Sequence, residues 1–273
     1  MYIYVNLNSF FLAFKTYRDG EAVFAGFDNF VRVFHTFGSD PVISNGIKYS
    51  LLSFVLSFAV GMTFSLFFSY YVYKKKFLSG IFKVLLFAPS IISPLVMVTL
   101  YRYVVDSFIP FILREYFDSK IIGLLSDKNY VYGTVMFYCL FVGFGPRLLL
   151  FSNAMSGINE SIIEAAHIDG VGAFGEFFYI VFPQIFSTVA VFVTTSFATI
   201  FTAQYSLYEF FQGGSDYFVT IGYYMYREVQ QSGGDFATYP MLSAMGLTFT
   251  VLIAPIAWGI RKLMTKLDPM EEA

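Results

Sequence analysis

The chain has 273 residues, of which 57% are hydrophobic, 21% aromatic and only 13% charged, whereas about one residue in four is charged in a soluble domain. A soluble globular domain is therefore excluded, and the expected class is an all-α, polytopic membrane protein. The net charge of -2 says little, because the distribution of Lys and Arg among the loops, not their total, orients a membrane protein.

Met1 to Phe14 is uncharged and mostly apolar, yet shorter than the roughly 20 residues a span needs, and it lacks the basic start of a secretory signal. It reads as the outer half of a first span whose beginning is missing, through a misassigned start codon or a shortened chain. Tyr49 to Tyr73 carries no charge and makes the first complete span. Lys74, Lys75 and Lys76, with Lys83 soon after, follow it as a short basic loop, which marks the cytoplasmic side. Val84 to Tyr101 is the next span. It contains Pro89 and Pro94, with Ser90 and Ser93 placed to satisfy carbonyls freed by kinks; such a broken helix either lines a cavity or is a packing kink. Arg102 to Lys128 mixes both signs around Pro110 and reads as an outward loop with a short surface helix.

Asn129 to Ser152 is the following span, interrupted by Gly143, Gly145, Pro146 and Arg147. Phe177 to Ala203 is the next, with Thr194, Thr195, Ser196, Thr199 and Thr202 along its outer half, where small hydroxyls pack closely and bond back to the helix. Tyr205 to Tyr239 is a tyrosine-rich outer segment with a Gly213-Gly214 turn and a surface helix from Ile221 to Gln230. Pro240 opens the last span, which runs to Ile260 and closes on Arg261, Lys262 and Lys266, basic and therefore inside. Asp268 to Ala273 is an acidic tail. The pattern gives six transmembrane helices, the first truncated at its N-terminus, and no internal repeat. It places the Lys74 to Lys76 loop, the segment Ser161 to Gly172 and the C-terminus in the cytoplasm, with Tyr17, Lys120 and Tyr217 outside.

Between the fourth and fifth spans, Ser161 to Gly172 reads as a short amphipathic helix. Ser161 is placed to cap its start, Glu164 to answer it in a capping box, and Gly170 to supply the left-handed turn at its end. Ile162, Ile163, Ala166 and Ile168 form its apolar side, which needs a surface to bury against; the chain's own membrane core is expected to lie out of reach. No Lys or Arg occurs from Leu148 to Tyr226, so this loop carries Glu160, Glu164, Asp169 and Glu176 with no basic residue of its own. An acidic loop on the inner face suits a surface that meets a protein rather than lipid headgroups.

Glu164-Ala165-Ala166, Asp169-Gly170, Phe177, Ile180 and Pro183 match E-A-A-x-x-D-G-(x)n-F-x-x-I-x-x-P. This resembles the signature of the inner-membrane permease subunits of binding-protein-dependent ABC importers of type I. The bland alternative is an ordinary capped interfacial helix. Further matches are Ser9-Phe10, then Gly26 to Phe30 as G-x-x-N-F, and Pro89-x-x-x-Ser93-Pro94. Looser ones are Gln212-Gly213-Gly214 and Asp235-Phe236-Ala237 with Ser243-Ala244. Together they place the chain closest to the maltose-type carbohydrate branch. The resemblance implies one permease domain over residues 1–273, with a cytoplasmic coupling helix inside a coupling segment at 159–183. It implies that Glu164, Ala165, Ala166, Asp169, Gly170 and Pro183 serve the coupling to an ATPase. The implied partners are two ABC ATPase subunits, a second homologous permease, an extracellular or periplasmic binding protein and membrane lipid, with no nucleic acid. The implied location is the bacterial cytoplasmic membrane. ATP and Mg are held by the ATPase, and the chain itself binds no cofactor and is no enzyme.

The remaining chemistry is sparse. No G-x-x-x-x-G-K-[ST], H-E-x-x-H or G-x-S-x-G occurs. One cysteine, Cys139, excludes an intrachain disulfide, and His35 and His167 are expected on opposite faces of the membrane. An intramembrane enzyme would need a constellation on the outer loops. An ion-coupled carrier would need a buried acidic relay, and no Asp or Glu lies inside the predicted complete spans. Arg147, Ser93, Thr199, Thr202 and Tyr205 are the candidates for the substrate path. Arg147 at bilayer depth costs about 2.5 to 3.5 kcal/mol, so it snorkels inward, pairs, or faces a polar cavity. An amino-acid, peptide or ion permease is the alternative to a carbohydrate one.

Overall fold

The structure is a computed structural model and describes Leu7 and residues 10–18, 21–117, 121–212, 214, 217–233 and 236–270. Ser9, Lys120, Gly213, Asp235 and the last residues of the acidic tail, singled out above, lie outside this set, as does the start of Met1 to Phe14. Among the described residues four helices are long and apolar enough to cross a membrane, and a bent pair makes up to five. The fold divides into two compact units, residues 1–53 with 199–256 and residues 54–198 with 257–273.

The first unit begins with an antiparallel hairpin that an all-α expectation missed: β1 (Lys15–Arg18) pairs with β2 (Glu21–Phe24), with Lys15 opposite Phe24 and Arg18 opposite Glu21. Helix α1 (Asp28–Ser39) follows. Its Asn29 explains the G-x-x-N-F match. The side chain is buried and its amide donates to Ala13 O at 2.9 Å and Lys15 O at 2.7 Å, while Gly26 takes the left-handed turn (φ +59°) that brings the chain round. Asp40 then accepts from Val42 N and opens α2 (Pro41–Tyr73), which starts eight residues before the charge-free run because Lys48 sits within its first turns. Val33, Ile43, Ile221, Met245 and Phe249 form this unit's core, with the Phe249 ring tilted against those of Phe37 and Phe201.

In the same unit, α9 (Leu207–Phe211) is bounded by left-handed residues at Ser206 and Gln212. Helix α10 (Ile221–Gln231) forms where a surface helix was expected, but it is buried at Ile221, Gly222, Tyr223 and Arg227 and exposed only at its last three residues; Thr220 caps it by accepting from Tyr223 N. Its first N–H, Ile221 N, donates to Ser50 Oγ of α2 at 2.9 Å. The final helix, α11 (Tyr239–Lys266), carries the last span and extends a turn and a half past Ile260.

The second unit corrects the span drawn from Val84 to Tyr101. Helix α3 (Ser79–Ile91) stops, and a new helix, α4 (Pro94–Phe117), runs on past Tyr101. Proline is the cause: Pro94 offers no N–H and forces Ser93 into an extended conformation (φ -51°, ψ 133°). Continuation to Phe117 is made possible by a π turn at Val104–Phe108, one extra residue that loosens the helix just before Pro110. The wider helix places Arg102 and Asp106 within a candidate span, so the expected lack of acidic residues there does not hold. Asp106 is engaged locally: its Oδ1 accepts from Leu125 N at 2.9 Å.

Helix α5 (Val131–Ser156) crosses α3 at Gly145, where a Cβ would meet the Leu86 and Phe87 backbone. Ser69 of α2 is buried and donates to Leu148 O of α5, the close approach that small hydroxyl residues permit between membrane helices. Met62, Leu66, Phe151, Met155, Phe177 and Val181 lead the core of this unit.

Candidate functional site

Helix α6 (Glu160–Ile168) carries the signature residues. It starts earlier than the capping-box reading, because Asn159 rather than Ser161 is the cap. Asn159 is extended (φ -64°, ψ 124°) and its side chain accepts from Ser161 N at 3.1 Å, which leaves Glu164 free of any capping duty. The end is as expected. Gly170 has φ +75°, Gly170 N donates to His167 O at 3.1 Å and Val171 N to Ala166 O at 3.0 Å, the paired bonds of a Schellman turn.

The apolar side of α6 is not left for a partner alone. Ile163 and Ala166 are buried, and Ile163 belongs to the same core cluster as Phe151, Met155 and Phe177. The chain's own membrane core does reach this helix, because it folds back against the C-terminal ends of α2 and α5. What stays outward is a mixed face of Glu164, Ala165, Asp169 and Gly170, together with Ile162 and the 87% exposed Ile168. Beside it lies a cleft of about 360 Å³ lined by Tyr73, Lys74, Lys75, Glu160, Glu164 and His167.

After Gly172 the chain enters α7 (Ala173–Gln184), which meets α8 (Phe186–Ala198) at a 71° bend. The signature's phenylalanine and proline explain this stretch. Phe177 is buried against Phe67 and Tyr70. Pro183 has no N–H to give to residue 179, and a π turn at Phe177–Val181 sits just ahead of it before the helix breaks at Ile185 (φ -97°, ψ 5°). Along α8 the hydroxyls of Thr194, Thr195 and Ser196 bond back to Ala190 O, Val191 O and Phe192 O, each at 2.8 Å.

Sequence reasoning missed Glu176. It is 1% exposed, and its carboxylate accepts from Lys74 Nζ at 2.8 and 2.9 Å and from His167 Nε2 at 2.8 Å. A carboxylate only accepts, so the bond requires the proton on Nε2 of His167. Tyr70 adds a fourth contact nearby, its hydroxyl donating to Ala173 O at 3.0 Å. The signal that could have found this was the acidic loop with no Lys or Arg of its own: a lysine or arginine partner for a buried carboxylate there has to come from another element.

The substrate-path candidates fall in different places. Ser93 is exposed at the α3–α4 break and its side chain forms no cap, whereas Ser90 donates to Phe87 O. Arg147 lies within α5 with its guanidinium 5.5 Å from the Phe192 ring centroid, in space left by Gly61, where any side chain would collide with Nη1. Thr199, Thr202 and Tyr205 belong to the first unit and share one non-helical stretch. There Thr202 Oγ1 donates to Thr199 O at 3.4 Å, Tyr205 is left-handed, and Thr220 Oγ1 donates to Ala203 O at 3.1 Å.

Long apolar helices, proline-broken spans and a capped polar helix between two of them define a polytopic membrane transport component. The chain belongs to the family of binding-protein-dependent transport system inner membrane components, whose pattern it matches over residues 43–268. Members of this family are permease subunits of ABC importers that work with a separate ATPase. The chain is 26% identical, over 82% of its length and 76% of the relative, to a lactose transport system permease protein of Rhizobium radiobacter. It is 26% identical, over 93% of its length and 79% of the relative, to an arabinooligosaccharides transport system permease protein of Halalkalibacterium halodurans. A maltose/maltodextrin transport system permease protein of Klebsiella aerogenes is 25% identical over 87% of the chain, which spans only 48% of that longer protein. In fold it is similar to a bacterial ABC transporter involved in import of the acidic polysaccharide alginate (TM-score 0.80, 18% identity, 97% of this chain and 90% of the other). It is also similar in fold to a bacterial alginate ABC transporter in complex with an alginate pentasaccharide-bound periplasmic protein (TM-score 0.73, 20% identity, 99% of this chain and 89% of the other).

Proposed function

We propose that this chain is the permease subunit of a carbohydrate importer. In this reading residues 1–273 form one permease domain of six spans, and 159–183 is its coupling segment. A second homologous permease completes the translocation path, two ATPase copies hold ATP and Mg, and an extracellular binding protein delivers the sugar. The observation that carries the reading is α6: a helix anchored on its apolar side by the chain's own core, which nevertheless keeps Glu164, Ala165 and Asp169 open. Carbohydrate rather than amino acid or ion is supported by the names of the similar permeases, which are lactose, maltodextrin and arabinooligosaccharide systems.

Glu164 is the decisive residue, because it is exposed on α6 and does not cap it. The test uses the complex purified from its native host through a tag on this chain and reconstituted in proteoliposomes. Uptake of a radiolabelled mixture of di- and oligosaccharides is compared with that of a labelled amino-acid mixture. We expect ATP-dependent uptake of saccharide only. Glu164→Gln should weaken ATPase association while leaving membrane insertion intact. Uptake of amino acids alone would overturn the carbohydrate assignment, and full ATPase association with Glu164→Arg would overturn the role of α6.

A further inference from the structure

We infer that Glu176 is a positioning residue, an ionic hub that makes α6 move as one body with the inner end of α2 and the first turn of α7. The inference rests on the reading of α6 as the coupling helix and adds how its displacement reaches the spans.

The covalent route from α6 to α7 is poorly suited to carry force. It consists of Asp169, Gly170, Val171 and Gly172, with Gly170 in the left-handed region and nothing within 4 Å of a Cβ built on either glycine. A push on α6 through that linker alone would be absorbed by rotation about the glycine bonds. The apolar anchor at Ile163 and Ala166 holds α6 down but is non-directional. Glu176 supplies the missing direction. His167 Nε2–H from the last turn of α6 and Lys74 Nζ from just beyond α2 both donate to its carboxylate, at 2.8 Å each. The carboxylate and its bond to Lys74 are shielded from water, with Glu176 1% and the Lys74 side chain 20% exposed, while the His167 side chain is 52% exposed. The Lys74 arm is therefore fixed better than a surface ion pair.

Lys74 and Glu176 are 102 residues apart, and no Lys or Arg lies between 148 and 226. Tyr70, one turn before Lys74, doubles the α2–α7 link through Ala173 O. Three elements that meet at a single carboxylate cannot shift against one another without breaking a charge-assisted bond.

The experiment pairs a distance measurement on this chain with a flux ratio on the complex. In a Cys139→Ser background, spin labels at Ile168→Cys and Leu78→Cys report the separation of α6 from the residues that follow α2. Both sites are exposed, at 87% and 44%. With the hub intact, the distance distribution should be narrow and unchanged between nucleotide-free complex and complex trapped with ADP and vanadate. Glu176→Gln should broaden it and lower saccharide uptake per ATP hydrolysed by roughly 2- to 30-fold, the range expected when a member of a coupling network is altered, with ATPase association retained. Lys74→Glu alone should do the same. Lys74→Glu with Glu176→Lys should restore both readouts, since a lysine at 176 can donate to the new carboxylate and to His167 Nε2. A narrow distribution with normal flux ratio in Glu176→Gln overturns the inference. So does loss of the folded chain in both single variants without rescue by the swap, which would make the pair a folding element only. If α6 were not the coupling helix, Glu164→Arg would leave ATPase association intact while the label distances still responded to Glu176→Gln, so the two failures are distinguishable.

Discussion

Gly170→Val separates conformation from contact in the signature segment. No heavy atom lies within 4 Å of a Cβ at this position, so the substitution meets no steric neighbour and acts only through φ, which is +75°. Holding a non-glycine residue in the left-handed region costs about 1–2 kcal/mol, and a β-branched one more. If the residue escapes that region instead, the bonds from Gly170 N to His167 O and from Val171 N to Ala166 O are lost, at about 0.5–1.5 kcal/mol each. Either route puts about 1–3 kcal/mol on the end of α6, which corresponds to roughly 5- to 150-fold more opening. Hydrogen exchange of the amides of residues 163–171 in nanodisc-embedded protein should accelerate by that factor, with ATPase association falling in parallel. Gly170→Asn should change little, because asparagine tolerates the left-handed region, and Gly170→Ala should lie between. Equal protection in the valine and asparagine variants would refute the argument, since it would show that the turn is not what ends α6.

Gly145→Val should destabilise the α3–α5 crossing by about 1–3 kcal/mol, because its Cβ would fall 2.7 Å from Phe87 Cα and backbone cannot step aside. Gly133→Val in the same helix, with nothing within 4 Å, is the control in a thermal-aggregation assay in detergent. For topology, single cysteines at Tyr17 and Tyr217 should react with a membrane-impermeant maleimide in intact cells, and those at Lys75 and Gly172 only after permeabilisation. Labelling of Gly172 from outside would invert the whole arrangement.

Features set by local chemistry were readable in the sequence. Gly170 ends α6 and Thr220 opens a helix over Ile221–Gln231 because turn and cap residues act within a few positions of themselves. The segment matched as a signature also proved to be the one whose buried residues, Phe177 and Val181, sit in a core. Competing local signals were not resolved. Asn159 and Ser161 are both good caps, and the choice fell to Asn159 because Ile163 had to face the core. Pro94 was visible as a kink, but whether the chain bends or starts again depends on what packs around it. Nothing local announced the Glu176 hub: Lys74 looked like an ordinary basic end to a span, and its partner lay 102 residues on. The hairpin at Lys15 to Phe24 was missed because its strands are four residues each and carry no clear alternation.

The two π turns, at 104–108 and 177–181, make chain length an adjustable quantity at those places. Each takes up one residue more than an α turn for about the same net rotation. Deleting any single residue from Val104 to Phe108 would close the wide turn to an α turn and leave Ile109–Phe117 facing nearly the same way. The same deletion within Ile109–Phe117 would instead swing everything that follows by about 100°. In these two stretches the loss of one residue should be absorbed more readily than in the regular helix on either side.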